Sequence, residues 1–162
     1  MPNSLCIKII ILTLYKSREM ETTTTPPTTT TTEVTHAVGT IIFRPLEAKL
    51  VQPADAPQKI EPYVKIRLGW HSGKSSLATH TGENPTWTDN IVLERAHAEH
   101  FAKLKVKDKN RTILNDRVGQ VKIPLEEVVA KGRVTQWYKL EKGDQVTGEI
   151  LVDVEHHIKP KV

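Results

Sequence analysis

The chain has 162 residues, of which 38% are hydrophobic and 26% are charged, and its formal net charge at pH 7 is +4. This length is sufficient for one domain with a tail, and about 120 residues can bury a substantial core. The single cysteine, Cys6, excludes an internal disulfide and favours a reducing, cytoplasmic location. The modest positive charge suits an anionic membrane surface, but ordinary soluble surfaces also carry such a charge.

Residues 1–35 differ in composition from the rest of the chain. The apolar stretch over 5–15 is interrupted by Lys8 and is too short for a membrane-spanning helix. We interpret 1–19 as a mis-assigned extension before a start at Met20, with a weak membrane-associating segment as the alternative. Residues 22–32 contain nine threonines and two prolines and no apolar residue, which predicts a disordered Thr/Pro-rich tail.

From Gly39 onward, short strands alternate with turn signals, a pattern typical of an all-β sandwich. Pro45 predicts an edge position or a bulge in the first strand, because proline cannot donate a ladder hydrogen bond. Residues 69–73 are predicted to form a turn, and the chain from His156 onward is predicted to be a loose basic tail. The predicted strands span 40–46, 62–68, 75–81, 89–94, 102–108, 117–123, 136–140 and 148–154, with a helical turn over 125–130.

Two acidic loops are attached to predicted strand ends. The first lies before the strand at 62–68 and is bracketed by Asp55 and Glu61. The second follows the alternating strand at 104–107 and contains Asp108 and Asp116. Hard cations such as calcium take six to eight oxygen ligands, mainly carboxylates and carbonyls. The pair of loops therefore indicates a cation site more strongly than either loop alone.

Four segments resemble, in their order and spacing, the signature segments of the C2 domain family. They are Glu61–Ile66, Asn84–Trp87, Asn115–Gly119 and Gly148–Val152. The resemblance implies an eight-stranded antiparallel Greek-key β-sandwich over 36–157, followed by a basic tail over 158–162. It also implies binding to phospholipid membranes, which in this family is often controlled by calcium.

The resemblance also implies which residues would bind calcium. The five ligand positions of the family correspond to Asp55, Glu61, Asp108, Asn110 and Asp116. A glutamate where aspartate is usual displaces the carboxylate, and an asparagine where aspartate is usual removes one negative charge. Because ligand charge tunes calcium affinity, we expect a single weakly bound calcium ion. The alternative is a degenerate, metal-free site whose acidic residues only stabilise turns.

Apolar residues in the same loops suggest contact with a membrane. Ile60 in the first loop, and Ile113 and Leu114 in the other, stand in polar surroundings that turn chemistry alone does not explain. We predict that these three side chains insert into the bilayer. The alternative is that they form a small local core within the loops.

A second surface could bind lipid headgroups without calcium. Lys103, Lys105 and Lys107 share one face of the fifth strand by period-two alternation, and Lys65 and Arg67 share a face of the second. In the family that this chain resembles, a concave basic cluster often binds phosphoinositides. The alternative is a solvated outer face whose lysines discourage edge-to-edge aggregation.

The sequence carries no sign of catalysis. His97 and His100 lack a third metal ligand in a sensible context, and no nucleophile motif is present. Basic residues are not interleaved with stacking aromatics, so a nucleic-acid partner is not expected. The chain is therefore interpreted as a non-enzymatic C2-domain adaptor, peripheral at anionic phospholipid membranes, with weak or residual calcium dependence. The alternative is a calcium-independent protein-interaction or structural subunit on a C2 scaffold.

Overall fold

The computed structural model describes residues 38–51, 60–80, 82–109 and 117–159. The predicted disordered tail over 1–35 lies outside these ranges. Eight strands and one short helix are present in the described part of the chain. In order they are β1 (Gly39–Leu50), β2 (Pro62–Leu68), β3 (His71–Leu77), β4 (Ile91–Arg95), β5 (Phe101–Asp108), β6 (Arg117–Pro124), α1 (Glu126–Lys131), β7 (Arg133–Lys142) and β8 (Gln145–Ile158). No helix within these ranges is long and apolar enough to cross a bilayer.

All strand pairs are antiparallel, in the order β3-β2-β5-β6-β7-β8-β1-β4. The sheet is narrowest between β6 and β7, which pair only at Gln120 and Glu141. The two halves fold over each other at this junction, so that Gly73 of β3 lies directly against Ile91 of β4. The architecture is thus the predicted eight-stranded antiparallel sandwich.

The core lies between the two halves and follows from strand alternation. On β5 the buried side chains Ala102, Leu104 and Val106 alternate with lysines that point outward. Phe43 of the other half is also fully buried in the same cluster. Full burial of a large aliphatic or aromatic side chain stabilises a fold by about 1.5–3 kcal/mol. The core therefore fixes which face of β5 meets solvent.

The hairpin between β2 and β3 is tighter than predicted. Leu68 pairs with His71, so the turn consists of Gly69 and Trp70 alone. Gly69 has a φ of 53°, and a positive φ at only the first central position is the type II′ pattern that favours glycine there. The turn predicted over 69–73 is confirmed only at Gly69 and Trp70. The strand predicted over 75–81 instead spans His71–Leu77, because β3 is a polar edge strand whose sequence lacks apolar alternation.

The first and last strands are both longer than predicted. β8 continues to Ile158, which pairs with Gly39, and His156 is buried, so the prediction of a loose tail from His156 was wrong. Backbone pairing with β1 orders this polar segment. The predicted irregularity at Pro45 is confirmed, since the β1–β8 register shifts between Pro45 and Glu47.

Candidate functional site

We call the five predicted calcium-ligand positions the acidic rim. The structure describes two of them, Glu61 and Asp108. Asp108 ends β5 and pairs with Pro62 at the start of β2, which places Glu61 beside it. The Glu61 N–H donates a hydrogen bond of 3.0 Å to Asp108 Oδ1. The structure thus brings these two residues together. The other three predicted ligands, Asp55, Asn110 and Asp116, lie outside the described residues.

The two described carboxylates are unequal. Asp108 is only 3% exposed, whereas the Glu61 side chain is substantially exposed and lies 4.0 Å from Lys109 Nζ. One Asp108 oxygen is already engaged by backbone, and Lys109 offsets the charge of Glu61. Within the described ranges no group of three or more His, Cys, Asp or Glu side chains is arranged to hold a metal ion. Glu61 and Asp108 could bind calcium only with ligands from elsewhere.

Of the three apolar loop residues that were predicted to insert into a bilayer, the structure describes only Ile60. Ile60 is 4% exposed and belongs to the hydrophobic core between the sheets, so the prediction that it is an exposed insertion residue was wrong. The sequence did not indicate this burial, because Ile60 stands among polar loop residues although it already packs in the core just before β2 begins. Ile113 and Leu114 lie outside the described residues, and their membrane insertion stays a prediction.

The basic residues form one continuous groove, which we call the basic groove. Strand pairing sets Lys65 opposite Lys105 and Arg67 opposite Lys103, with Lys107 further along β5. These five side chains line a cavity of about 210 Å³ on the outer face of β2 and β5. Directly paired residues on antiparallel strands project from the same side of the sheet. Alternation predicted one basic face on β2 and another on β5, and strand pairing joins these two faces into one surface.

Neighbouring strands extend the positive surface beyond the five predicted residues. On β3, Lys74 pairs with Lys65, and on β6, Lys122 pairs with Lys103 and Arg117 with Lys107. Sequence reasoning missed Lys74 because it falls between the predicted turn at 69–73 and the predicted strand at 75–81. Lys122 and Arg117 were within a predicted strand, but nothing in the sequence showed that this strand lies beside β5. A larger hollow next to the groove, of about 480 Å³, has a more mixed lining that includes Glu141.

The electrostatics of the groove favour an anion. Partial burial lowers the pKa of Lys105, and the nearby charges of Lys103, Arg117, Lys107 and Lys65 lower it further. Like charges held together raise the free energy of the protonated lysine, and a bound anion relieves that repulsion. All five residues lining the groove are cations. The arrangement is therefore suited to phosphate or another acidic headgroup.

An antiparallel eight-stranded sandwich, with acidic residues at one loop end and a cationic groove on an outer sheet face, defines a C2-type module. The C2 domain family model matches residues 39–140, and the chain belongs to this family. It is similar to the 16 kDa phloem protein 2 of Arabidopsis thaliana, with 30% identity over 115 residues that cover 70% of this chain and 78% of that protein.

Solved structures agree with this assignment. A C2 domain-containing protein superposes with a TM-score of 0.68 and 27% identity, covering 78% of this chain and 93% of that one. The calcium-bound tandem C2 domains of Extended-Synaptotagmin 2 superpose with a TM-score of 0.61 and 22% identity, covering 74% of this chain and 46% of that one. At 22% identity, the match to Extended-Synaptotagmin 2 shows a shared fold only.

Proposed function

We propose that this chain is a non-catalytic C2 module that docks peripherally on anionic phospholipid membranes through the basic groove. The observation that carries the proposal is the convergence of Lys65, Arg67, Lys103, Lys105 and Lys107 on one cavity. These side chains project from paired strands of a sheet, so little backbone conformational entropy is lost on binding. Family membership supports a membrane as the partner.

The expected strength follows from the number of cations. A lysine or arginine near an anionic bilayer contributes about 1 kcal/mol, falling off within a Debye length. Five groove residues therefore supply several kcal/mol before the cost of immobilising the protein. This energy is adequate for reversible association and too small for permanent anchoring. The groove thus suits a protein whose residence on the membrane is transient.

Calcium is proposed as a weak modulator. Glu61 and Asp108 lie together at the end of β2 and β5 remote from Leu68, and asparagine at 110 lowers the charge of the family's ligand set. Without metal, an acidic rim repels anionic headgroups. A bound calcium ion would cancel that repulsion and bridge to phosphate. The basic groove supplies attraction in either state, so calcium should increase binding only modestly.

Vesicle co-sedimentation of the full chain tests both parts of the proposal. The variant K103E/K105E reverses two groove cations, and K131E/K159E makes the same change of net charge on α1 and beyond β8. Loss of two favourable contributions predicts at least about 25-fold weaker binding to phosphatidylserine vesicles for the groove variant. The control should bind within about twofold of wild type. Each protein is measured with calcium and with chelator.

The outcomes are distinct. Equal losses for both variants would attribute binding to net charge and contradict a specific groove. Binding that requires calcium absolutely would move the principal contact to the acidic rim. Absence of wild-type binding under both conditions would reject the membrane function and favour a protein-interaction subunit on the same scaffold. Thermal unfolding of each variant establishes that it is folded.

A further inference from the structure

Trp70 occupies the tip of the β2–β3 hairpin with 85% of its surface exposed. The two-residue turn holds it there, because Leu68 and His71 on either side are paired. Such an exposed indole is costly in water, since most of its large apolar surface remains hydrated. The structure keeps this side chain out of the core, although the adjoining Leu68 is fully buried. The hairpin thus presents an aromatic side chain to the surroundings.

The hairpin tip is continuous with the basic groove. Arg67, the groove residue closest to the turn, donates a hydrogen bond from Nε to the Gly69 carbonyl oxygen at 3.0 Å. The same Arg67 pairs with Lys103 across β2 and β5. Trp70 therefore lies at one end of the groove, whereas Glu61 and Asp108 lie at the opposite end of the same strands.

A second aromatic side chain lies at the Trp70 end. Phe101 precedes Lys103 by two residues on β5 and so projects from the groove face. It is 49% exposed, and Lys122 Nζ lies 4.9 Å from the centre of its ring. Aromatic rings with adjacent cations suit the boundary between headgroups and acyl chains, where tryptophan is enriched and lysine reaches phosphate. Charge and apolarity together favour a lipid surface over a neutral protein surface.

We infer that Trp70, assisted by Phe101, inserts into the interfacial region of the anionic bilayer that binds the basic groove. The protein then contacts the membrane through the outer face of β2 and β5 and through the hairpin end. This orientation differs from insertion of the loop end that carries Glu61 and Asp108. The inference rests on the proposed membrane function and adds to it the side chain that anchors the docked module.

Tryptophan fluorescence provides the direct test. The full chain is mixed with phosphatidylserine–phosphatidylcholine vesicles in which brominated phosphatidylcholine acts as a quencher. Trp87 and Trp137 also emit, so the Trp70 contribution is obtained by subtracting the spectrum of W70F. The phenyl ring that this substitution introduces can still insert into the bilayer. The Trp70 emission should shift to shorter wavelength with vesicles and be quenched by bromine. W70S should bind roughly tenfold more weakly than wild type.

V92S is the matched control because Val92 is an exposed apolar residue on β4, in the other half of the sandwich. Its vesicle affinity should equal that of wild type. If wild type sediments with vesicles while Trp70 emission is unchanged and W70S binds normally, the inference is wrong and the groove proposal stands. If wild type does not sediment at all, both fail. Matching thermal unfolding of W70S and wild type excludes misfolding as the cause of weaker binding.

Discussion

His156 is a buried titratable side chain whose surroundings disfavour its charge. It is 7% exposed, and neither ring nitrogen has a hydrogen-bond partner among the described residues. Burial lowers its pKa, and the charges of Arg95 and His157 lower it further. Gly39 packs close to its Nε2, since a Cβ at that position would lie only 2.9 Å from this nitrogen. The folded protein therefore disfavours protonation of His156.

Acidification should destabilise the domain through His156. The unfolded chain binds this proton near the ordinary pKa of 6.5, whereas the folded chain binds it only at lower pH. The unfolded state then carries more protons in this window, so the free energy of unfolding decreases as pH falls below about 6.5. Urea denaturation at several pH values should show this decrease in wild type and a smaller one in H156Q.

The control for this measurement is H97Q, which changes an exposed histidine. It should retain the wild-type dependence on pH. Equal dependence in H156Q and wild type would show that another group is responsible. The difference between variants isolates His156 from carboxylates such as Asp153, whose lowered pKa affects stability only in more acidic solution.

At the scale of elements, one carboxylate connects three strands. Asp153 of β8 is buried and accepts hydrogen bonds from Arg133 and Thr135 of β7 and from Arg44 of β1. Burial raises its pKa, but the hydrogen bonds from Arg133, Thr135 and Arg44 outweigh burial and hold the pKa below its usual value. The ion pairs help to hold β7, β8 and β1 in register, and these are three of the four strands in that half of the sandwich.

Replacing Asp153 with asparagine should weaken this half of the fold. The amide has similar shape but loses the charge, and its NH2 group replaces one carboxylate oxygen that accepts hydrogen bonds from arginine. We expect a decrease of about 2 kcal/mol in the free energy of unfolding, the range for a buried charged hydrogen bond. Chemical denaturation measures this loss, and D144N in the exposed β7–β8 turn is the control. A change in D153N no greater than in D144N would contradict a structural role.

Sequence reasoning identified β2 over its full length because Pro62–Leu68 alternates strictly between buried and outward residues. β5 was nearly as well defined by the same alternation. β3 was misplaced because His71–Leu77 buries only Ser75 and offers no apolar pattern. Local alternation therefore reveals a strand with one buried face but not a polar edge strand, whose order comes from pairing with its neighbour.

At the scale of the whole molecule, charge is distributed unevenly. The face of β2 and β5 collects cations, whereas carboxylates such as Asp153 and Glu155 of β8 are neutralised by arginines. Among the described residues, the basic groove therefore concentrates positive charge on one outer face of the sheet. Such an asymmetric field orients a protein as it approaches an anionic surface.

This asymmetry predicts a strong dependence of membrane binding on ionic strength. Raising the salt concentration from about 0.05 M to about 0.5 M should lower affinity for phosphatidylserine vesicles roughly tenfold or more, because the Debye length contracts to a few ångströms. Co-sedimentation across a salt series measures the slope. K103E/K105E should show a shallower slope than wild type, whereas the slope of K131E/K159E should stay closer to that of wild type. Salt-independent binding would contradict an electrostatic groove.

The sequence by itself determined the class of fold, most strand positions and the outward face of each lysine-bearing strand, because these follow from local alternation and turn chemistry. It also singled out Glu61 and Asp108. Only the tertiary structure decided that Lys65 lies opposite Lys105, that Ile60 is buried and that Trp70 stands at the end of the groove. Strand alternation specifies which face of a strand a side chain occupies, but not which strand lies beside it. The neighbouring strand is determined by hydrogen bonding between segments that are distant in sequence. This pairing brings the basic faces of β2 and β5 together as one surface.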